Sequence, residues 1–436
     1  MGVAGGSARR AWLSSSMLAL ALLAPSGCNG CNKSPEATTD GGTSSDALPP
    51  VVISNPTSDG DAAVDPKKRP TTTSWSIAGE NLGADIAERT KKYSPHVEER
   101  SRLFDLLITR AQFVADIADY ERADELSEAN VKSYPKDAEA HIARASVHNA
   151  LHRFQAAEKE LDAAAKLNGD PVRIASTRAS VLLATGRYDE ADKIIPPVTE
   201  KTRPIALVTR AVLAAHMQRA DESERLFDLA RTRLVDVSPF PVAWMDFQRA
   251  RALEMRGLEK EARHYYAEAV DVIPVYAHAA VHLAPTDPPT DAITRLEALR
   301  KTSTDPDVIA ALAEAHKRAG HTEETKTVTT EAQARYDALV AKHPEAYRDH
   351  AARFYLGLGN DPKKALDFAE KNAALRPTEE ALDLWMAAAT AANDKAKICA
   401  SAAAMHALRY ASPERKRLAA ASVKGCPDAG AAADKK

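Results

Sequence analysis

The sequence predicts an all-α protein, a right-handed α-solenoid in which helical hairpins stack along one axis. Three observations lead to this prediction: a composition that favours helices, apolar residues at helical spacing, and sequence features that recur at a fixed interval. Among the 436 residues, Ala, Leu, Glu, Lys and Arg are abundant and only 5% are aromatic. The abundant types are good helix formers, whereas sheets are enriched in aromatic and β-branched residues. The chain is also longer than one small core usually holds together.

The repeat is visible in three columns of residues that share an interval of 34 positions. The columns are the Arg-Ala dipeptides beginning at Arg110, Arg144 and Arg178, the aromatic residues Tyr120, Phe154 and Tyr188, and the alanines Ala123, Ala157 and Ala191. Later copies drift, because Arg210 and Arg249 follow at intervals of 32 and 39. Three independent columns with one period are hard to obtain by chance, so they predict a repeat architecture.

On these columns the chain resembles the tetratricopeptide repeat family, whose unit is a 34-residue helix–turn–helix. The best unit runs over 138–171, with Ala145 at the small position of its first helix and Phe154 at the start of its second. The resemblance covers about 103–408. It implies roughly seven to nine helical pairs. One pair cannot bury its apolar stripe alone, so stacking against neighbours would be obligatory.

The first 27 residues predict an export signal. Two arginines precede an apolar run over 11–24, which is too short to span a bilayer. The small residue before Cys28 resembles a bacterial lipoprotein processing site, in which Cys28 would become the lipid-modified N-terminus. The usual Leu three residues earlier is Pro25 here, and cleavage near Ala24 with ordinary secretion is the alternative. We therefore expect a membrane-anchored lipoprotein of the bacterial cell envelope that faces the periplasm, or a secreted or periplasmic soluble protein.

These features divide the sequence into four parts. We predict a signal peptide over 1–27, a flexible Ser/Thr/Pro/Gly/Asp-rich linker over 28–79, a tetratricopeptide-like solenoid over 80–424 with its best repeats over 104–203, and a polar tail over 425–436. The proline-rich stretch over 285–292 must break a helix and predicts a kink.

Two cysteines close to the C-terminus, Cys399 and Cys426, bear on the end of the fold. An envelope location permits a disulfide between them, which would tie the tail to the last helical pair. Two unpaired cysteines are the open alternative.

Arginine precedes the small alanine in five predicted first helices. These residues are Arg110, Arg144, Arg178, Arg210 and Arg249. In the family that the chain resembles, first helices line the concave surface. The column could then form a ladder facing an acidic peptide, a lipid headgroup or a glycan, because guanidinium pairs well with carboxylate and phosphate. We favour the alternative, in which each arginine packs between repeats and pairs with a neighbouring glutamate, and we keep the five as candidate partner-binding residues.

A second candidate partner-binding group is Trp244, Phe247, Arg251 and Met255. Spacings near three and four place these residues on one helix face. Their residue types are enriched at the centres of protein interfaces. The alternative is that they belong to the core between repeats.

The sequence contains little that supports a function recognised by a short motif, such as catalysis, nucleotide binding or metal binding. The chain contains no Gly-rich phosphate loop, no GxSxG and no HExxH motif. His148 and His152 stand four residues apart, as do His278 and His282, but no third metal ligand is evident, so surface or packing histidines are the simpler interpretation. The net charge of −3 gives no sign of nucleic-acid binding. The sequence predicts no catalytic residues, no cofactor and no metal.

The resemblance implies a non-catalytic protein–protein interaction scaffold of the cell envelope, with a protein or peptide partner bound on the concave face. Two other classes stay open. One is an accessory lipoprotein of a polysaccharide or peptidoglycan assembly or secretion machine, which would bind polymer. The other is an enzyme without a recognisable motif, which a deep pocket with convergent titratable groups would favour.

Overall fold

A computed structural model describes residues 71–235, 237–423 and 426. The predicted signal peptide, the lipidation site at Cys28, most of the predicted linker and nearly all of the predicted tail lie outside these residues. Three expectations are therefore not tested by the structure: the processing site, the lipid anchor and the location in the envelope.

Twenty α-helices and one 3-10 turn (Ala284–Thr286) make up the secondary structure of the described residues, which contain no β-strand. The helices are α1 (Trp75–Lys91), α2 (Val97–Val114), α3 (Ile117–Ser133), α4 (Ala138–Ala150), α5 (Phe154–Lys166), α6 (Pro171–Ala184), α7 (Tyr188–Ile194), α8 (Pro204–His216), α9 (Ala220–Arg233), α10 (Pro239–Met255), α11 (Glu259–Val272), α12 (Ala277–Leu283), α13 (Pro289–Arg300), α14 (Pro306–Ala319), α15 (Thr322–Lys342), α16 (Pro344–Leu356), α17 (Pro362–Leu375), α18 (Glu379–Ala391), α19 (Lys395–Ala407) and α20 (Pro413–Val423).

Successive helices form nine pairs, from α2–α3 to α18–α19, with α1 before the first pair and α20 after the last. Contacts are densest within pairs such as α4–α5, α8–α9 and α10–α11, and each pair also contacts the next one along the chain. The predicted all-α solenoid of stacked helical pairs is thereby confirmed. Its pair count lies at the upper end of the predicted range.

The repeat columns explain why the pairs pack closely. Ala145, Ala157 and Ala191 are completely buried, so two helices approach one another where only a methyl group lies between them. The aromatic residues Tyr120 and Phe154 are each only 3% exposed and fill the space between neighbouring helices. The columns therefore mark core positions of the stack.

Aspartate side chains begin several of the helices. The carboxylates of Asp137, Asp170 and Asp305 accept hydrogen bonds of 2.8 Å from backbone N–H groups in the first turns of α4, α6 and α14. These groups have no partner within the helix, so an aspartate cap stabilises the helix start. Proline at the first position of α6 and α14 loses no helical hydrogen bond there.

The stack returns on itself, and early pairs pack against late ones. The backbone N–H of Thr304 donates to the carbonyl oxygen of Ala115 over 3.1 Å. Glu121 pairs with Lys342 at 2.6 Å and with His343 at 3.0 Å. Asp189, on α7, accepts a hydrogen bond of 2.5 Å from Tyr410. The stack therefore curves so that early and late pairs meet, whereas stacking along one straight axis would keep them apart.

Gly186 shows how closely the early and late pairs approach each other. Its φ of +73° lies in the left-handed region, which glycine adopts without strain. A Cβ atom at this position would lie 3.1 Å from the carbonyl oxygen of Pro377. The glycine therefore allows the turn before α7 and leaves room for the chain that precedes α18.

The boundaries differ in detail from those expected. The first helix begins at Trp75, inside the predicted linker, because the indole of Trp75 packs edge-on against Phe240 with ring centroids 6.1 Å apart. The stretch over 285–292 does interrupt the helices: α12 has only seven residues, and a 3-10 turn separates it from α13. At the other end a disulfide joins Cys399 to Cys426, with a Cα–Cα distance of 5.7 Å.

Candidate functional site

A large cavity of about 1470 Å³ lies in the second half of the solenoid. It is lined mainly by the first helices of successive pairs, α12, α14, α16 and α18, together with α20 and the end of α10. The second helix α11 and Tyr336 of α15 also contribute. First helices therefore share one inner surface here, as the tetratricopeptide resemblance implied. We take this cavity as the candidate functional site.

Part of the cavity lining is apolar and consists largely of small residues. Ala310, Ala311 and Ala315 lie on α14, and Met386 and Leu418 come from α18 and α20. Leu418 is 45% exposed, which is high for a large apolar side chain. Small side chains leave space that an apolar group of a ligand can occupy.

The lining also carries two polar clusters of similar composition. In the first, the carboxylate of Glu254 accepts hydrogen bonds from Arg251 and from the Tyr266 hydroxyl, the latter over 2.8 Å. The imidazole of His282 lies 3.4 Å from the same carboxylate oxygen and stacks on the Tyr266 ring. Burial would raise the pKa of Glu254, but the charges of His282 and Arg251 hold it below its ordinary value.

The second cluster is centred on Asp307. One carboxylate oxygen accepts a hydrogen bond from Tyr336, and the other pairs with Nδ1 of His350, both over 2.5 Å. Behind His350 lies Asp349, which also pairs with Arg376. Burial favours neutral His350, but the carboxylates of Asp307 and Asp349 outweigh it and raise the pKa of His350 to about 9. His350 is therefore a buried cation at neutral pH.

His278 lines the cavity between the two clusters. It stands one helical turn before His282 on α12 and feels the charges of Asp307 and His350. Burial lowers its pKa to about 4, so its imidazole is neutral at pH 7. No group of three metal-binding side chains occurs within the described ranges. The imidazole of His278 is thus a neutral group that can form a hydrogen bond with a ligand.

The last helix, α20, forms one wall of the cavity through Arg415, Leu418 and Ser422. It is fixed at its start, where Arg415 pairs with Asp383 at 2.7 Å. The Cys399–Cys426 disulfide holds the chain just beyond its end. This wall is therefore attached to α18 and α19 on both sides of the cavity-lining residues.

The arginine column lies elsewhere, between pairs. Each of the five arginines contacts an acidic residue of a second helix: Arg110 with Asp119, Arg144 with Asp124, Arg178 with Asp162, Arg210 with Asp192, and Arg249 with Glu224 and Asp228. From the second arginine onward, that helix belongs to the preceding pair. None of the five lines the cavity. The arrangement agrees with the packing interpretation that the sequence favoured, with aspartate as the more frequent partner.

The group around Trp244 is also internal. Trp244 and Phe247 are 1% and 2% exposed and belong to the main hydrophobic cluster. Arg251 is buried beside Glu254, and Met255 is half-buried. An exposed patch is therefore not present, because Phe247 packs against the rings of Tyr266, Tyr276 and His282, which lie on α11, just before α12 and on α12. Only Arg251 touches the candidate site, through Glu254.

Sequence reasoning missed the residues that surround the cavity. Tyr266, Tyr336, His350 and Asp307 lie in the less regular repeats, where no column marks them. A recurrent signal does exist, since a tyrosine in a second helix contacts a histidine in the next first helix at Tyr188–His216 and Tyr266–His282. Variable spacing between such partners hides the pattern in the sequence.

No family model matches the chain, and no curated protein matches its sequence. Among solved structures, it is similar to a chain of the Cut9–Hcn1 hetero-tetramer of the APC/C, with 10% identity and a TM-score of 0.44 over 79% of this chain and 67% of that chain. It is also similar to the C-terminal part of a TPR repeat-containing protein from Cytophaga hutchinsonii, with 18% identity and a TM-score of 0.27 over 55% and 97% of the two chains. The TPR domain of P58(IPK) gives 17% identity and a TM-score of 0.23 over 75% and 98%. At these identities the likeness concerns the fold alone.

Proposed function

We propose that this protein is a non-catalytic scaffold that binds a peptide segment of a partner protein in the cavity. The observation that carries this proposal is the size and lining of the site. Small-molecule pockets usually measure about 300–1,000 Å³. The cavity of about 1470 Å³ exceeds that range and extends over the first helices of four pairs. An elongated ligand fits such a site better than a compact one.

The lining indicates an amphipathic occupant. Apolar side chains of the segment would lie against Ala311, Met386 and Leu418, where burial removes apolar surface from water. Its polar side would face His278 and the two carboxylate clusters. Helical segments of partner proteins commonly bind grooves in this manner.

The hydroxyl groups around the cavity support a binding role. Thr286, Thr390 and Ser422 each donate a hydrogen bond to a carbonyl oxygen three or four residues earlier. Nucleophilic catalysis by one of these serine or threonine hydroxyls would instead need that hydroxyl within hydrogen-bond reach of a general base. The carboxylates of Glu254 and Asp307 are likewise engaged by their own tyrosine and histidine partners.

We further propose that the protein acts in a bacterial cell envelope, attached through lipid-modified Cys28. The apolar run over 11–24 and the following Gly-Cys support this proposal. None of the helices among the described residues is long and apolar enough to cross a bilayer. Mass spectrometry of the mature N-terminus tests the anchor: a diacylglycerol-modified Cys28 is expected, and an unmodified N-terminus at another residue contradicts it.

Peptide binding is tested with phage-displayed peptides selected on the purified full chain. Ala387→Phe fills the cavity from α18, and we expect it to weaken the selected peptides at least about tenfold. Ala175→Phe is the matched control, since Ala175 is also a half-buried alanine of a first helix but lies outside the cavity.

Equal retention of peptide binding in both variants places the peptides outside the cavity and contradicts the proposal. Equal loss in both variants indicates general destabilisation, which the unfolding curve of each variant detects. Binding on a glycan array that Ala387→Phe abolishes, with no peptide selected, favours the polymer-binding alternative instead.

A further inference from the structure

The loop between α9 and α10 carries two of the three most exposed large apolar residues of the described part. Val235 is 92% exposed and Val237 is 67% exposed. Exposed apolar residues that stand alone need no explanation, whereas two in one short loop form a small apolar patch. This loop is therefore a candidate contact surface.

The N-terminal part of the chain joins the fold at this loop. The backbone N–H of Thr73 donates to the carbonyl oxygen of Val237 over 2.8 Å. Shortly afterwards Trp75 packs against Phe240, at the start of α10. The segment that leads from Cys28 to the fold thus arrives beside the two valines, and its last residues in sequence include Lys67, Lys68 and Arg69.

Further cations lie on the neighbouring loop between α7 and α8. Arg233 links the two loops, because its guanidinium donates to the carbonyl oxygens of Thr199 at 2.9 Å and Thr202 at 3.3 Å. The same loop carries exposed Lys201 and Arg203, together with Val198, which is 39% exposed. Apolar and basic side chains therefore occur together on these two loops, and the same stretches of sequence carry two acidic residues, Glu200 and Asp236.

We propose that these two loops dock onto an anionic phospholipid bilayer. The valine surface, defined as Val198, Lys201, Arg203, Arg233, Val235 and Val237, would place its valines among the acyl chains. Its cations would lie at the level of the phosphates. Peripheral proteins bind membranes through this combination of apolar burial and attraction to anionic lipid.

The position of the incoming segment favours a bilayer over a protein as the occupant. This inference rests on the proposed lipid anchor at Cys28. About 40 residues separate Cys28 from Thr71, and a flexible chain of that length has a root-mean-square reach of roughly 35 Å. The anchor would hold the valine surface close to the membrane, and docking would fix the orientation of the solenoid that a free tether leaves open.

The test uses the full chain, isolated from its native membrane and reconstituted into vesicles of phosphatidylcholine alone or mixed equally with phosphatidylglycerol. A fluorescent probe is attached at Val237→Cys in a Cys31→Ser background. Val172→Cys is the matched control, because Val172 is 68% exposed and Val237 is 67% exposed. We expect lipid-attached nitroxides to quench the probe at 237 at least about threefold more than at 172 in anionic vesicles, with loss in high salt.

The failures of the two proposals are distinguishable. Flotation of the protein with phosphatidylcholine vesicles, lost in Cys28→Ala, reports the anchor alone. Equal quenching at 237 and 172 in floated anionic vesicles overturns the docking while leaving the anchor intact. Protection of the probe from aqueous quenchers without vesicles also overturns it, since a second copy or a protein then covers the loop.

Discussion

The early and late pairs use similar helices for different purposes. In α4, the seventh residue is Arg144 and the eighth is Ala145, which is fully buried. In α16, a helix of the same length, the seventh and eighth residues are His350 and Ala351, and this alanine is also fully buried. Both helices have a buried alanine at the eighth position, but the residue before it is arginine in α4 and histidine in α16.

The partners of the two residues show what the difference means. Arg144 reaches a second helix and contacts Asp124, which joins one pair to the one before it. His350 reaches a first helix and contacts Asp307, which lines the cavity. In the regular repeats, charged side chains therefore form ion pairs between successive helical pairs. In the irregular repeats, charged side chains line the cavity. Departure from the repeat pattern marks the candidate site.

The largest expected effect comes from breaking the charge pair in the late half. Asp307→Ala leaves the buried His350 cation without its closest carboxylate, and removing one member of a buried pair typically costs about 3–5 kcal/mol of folding free energy. Denaturant unfolding measures this loss. Asp162→Ala is the counterpart in the early half, where the carboxylate is 61% exposed, and we expect a loss below about 1 kcal/mol there. Equal losses at both sites would remove the distinction between the halves.

Reducing the C-terminal disulfide should have the next largest effect, confined to the late half. Cys399 and Cys426 have a sequence separation of 27, and closing a loop of that size contributes about 3.5 kcal/mol in the chain-entropy model. Hydrogen exchange of Cys426→Ser should show lost protection in α19 and α20, with α4 and α5 unchanged. A uniform change throughout the solenoid would show that the two halves unfold as one unit.

A pH dependence should separate the halves further. The pKa of His350 is raised to about 9, above the value of about 6.5 in an unfolded chain, so its stabilising effect is complete below about pH 6.5 and disappears as pH rises through 9. The wild-type protein should lose on the order of 2 kcal/mol more than His350→Gln between these values. Asp305 and Asp349 also act on His350. If the free energies of unfolding of the wild-type protein and His350→Gln changed in parallel with pH, the raised pKa of His350 would be contradicted.

The smallest effect is expected in the arginine column. Arg178→Ala removes a pair between side chains that are 27% and 61% exposed, which contributes below about 1 kcal/mol. The variant should also bind cavity-selected peptides as the wild-type protein does. Loss of binding with an unchanged unfolding curve would instead restore Arg178 as a partner-binding residue.

The early repeats were predictable in detail because their contacts are local in sequence. Ala157, Phe154 and Arg144 keep the interval of 34 residues, since each contacts a neighbouring pair whose position the same interval sets. The cavity residues were not predictable in this manner. His278 and His282 were noticed only for their spacing, and nothing in the sequence related them to Asp307 or His350.

Periodicity alone determined that this chain forms helices, that they pair, and that the pairs stack, because apolar stripes on adjacent hairpins are buried only by their neighbours. The curvature of the stack was decided by the tertiary structure. Small angles between pairs add up along the chain until Asp189 meets Tyr410 and Glu121 meets His343. No interval in the sequence records such a sum, so the cavity follows only from the folded molecule. The folded molecule also decided for Trp244 between the two interpretations that the sequence left open, core and interface.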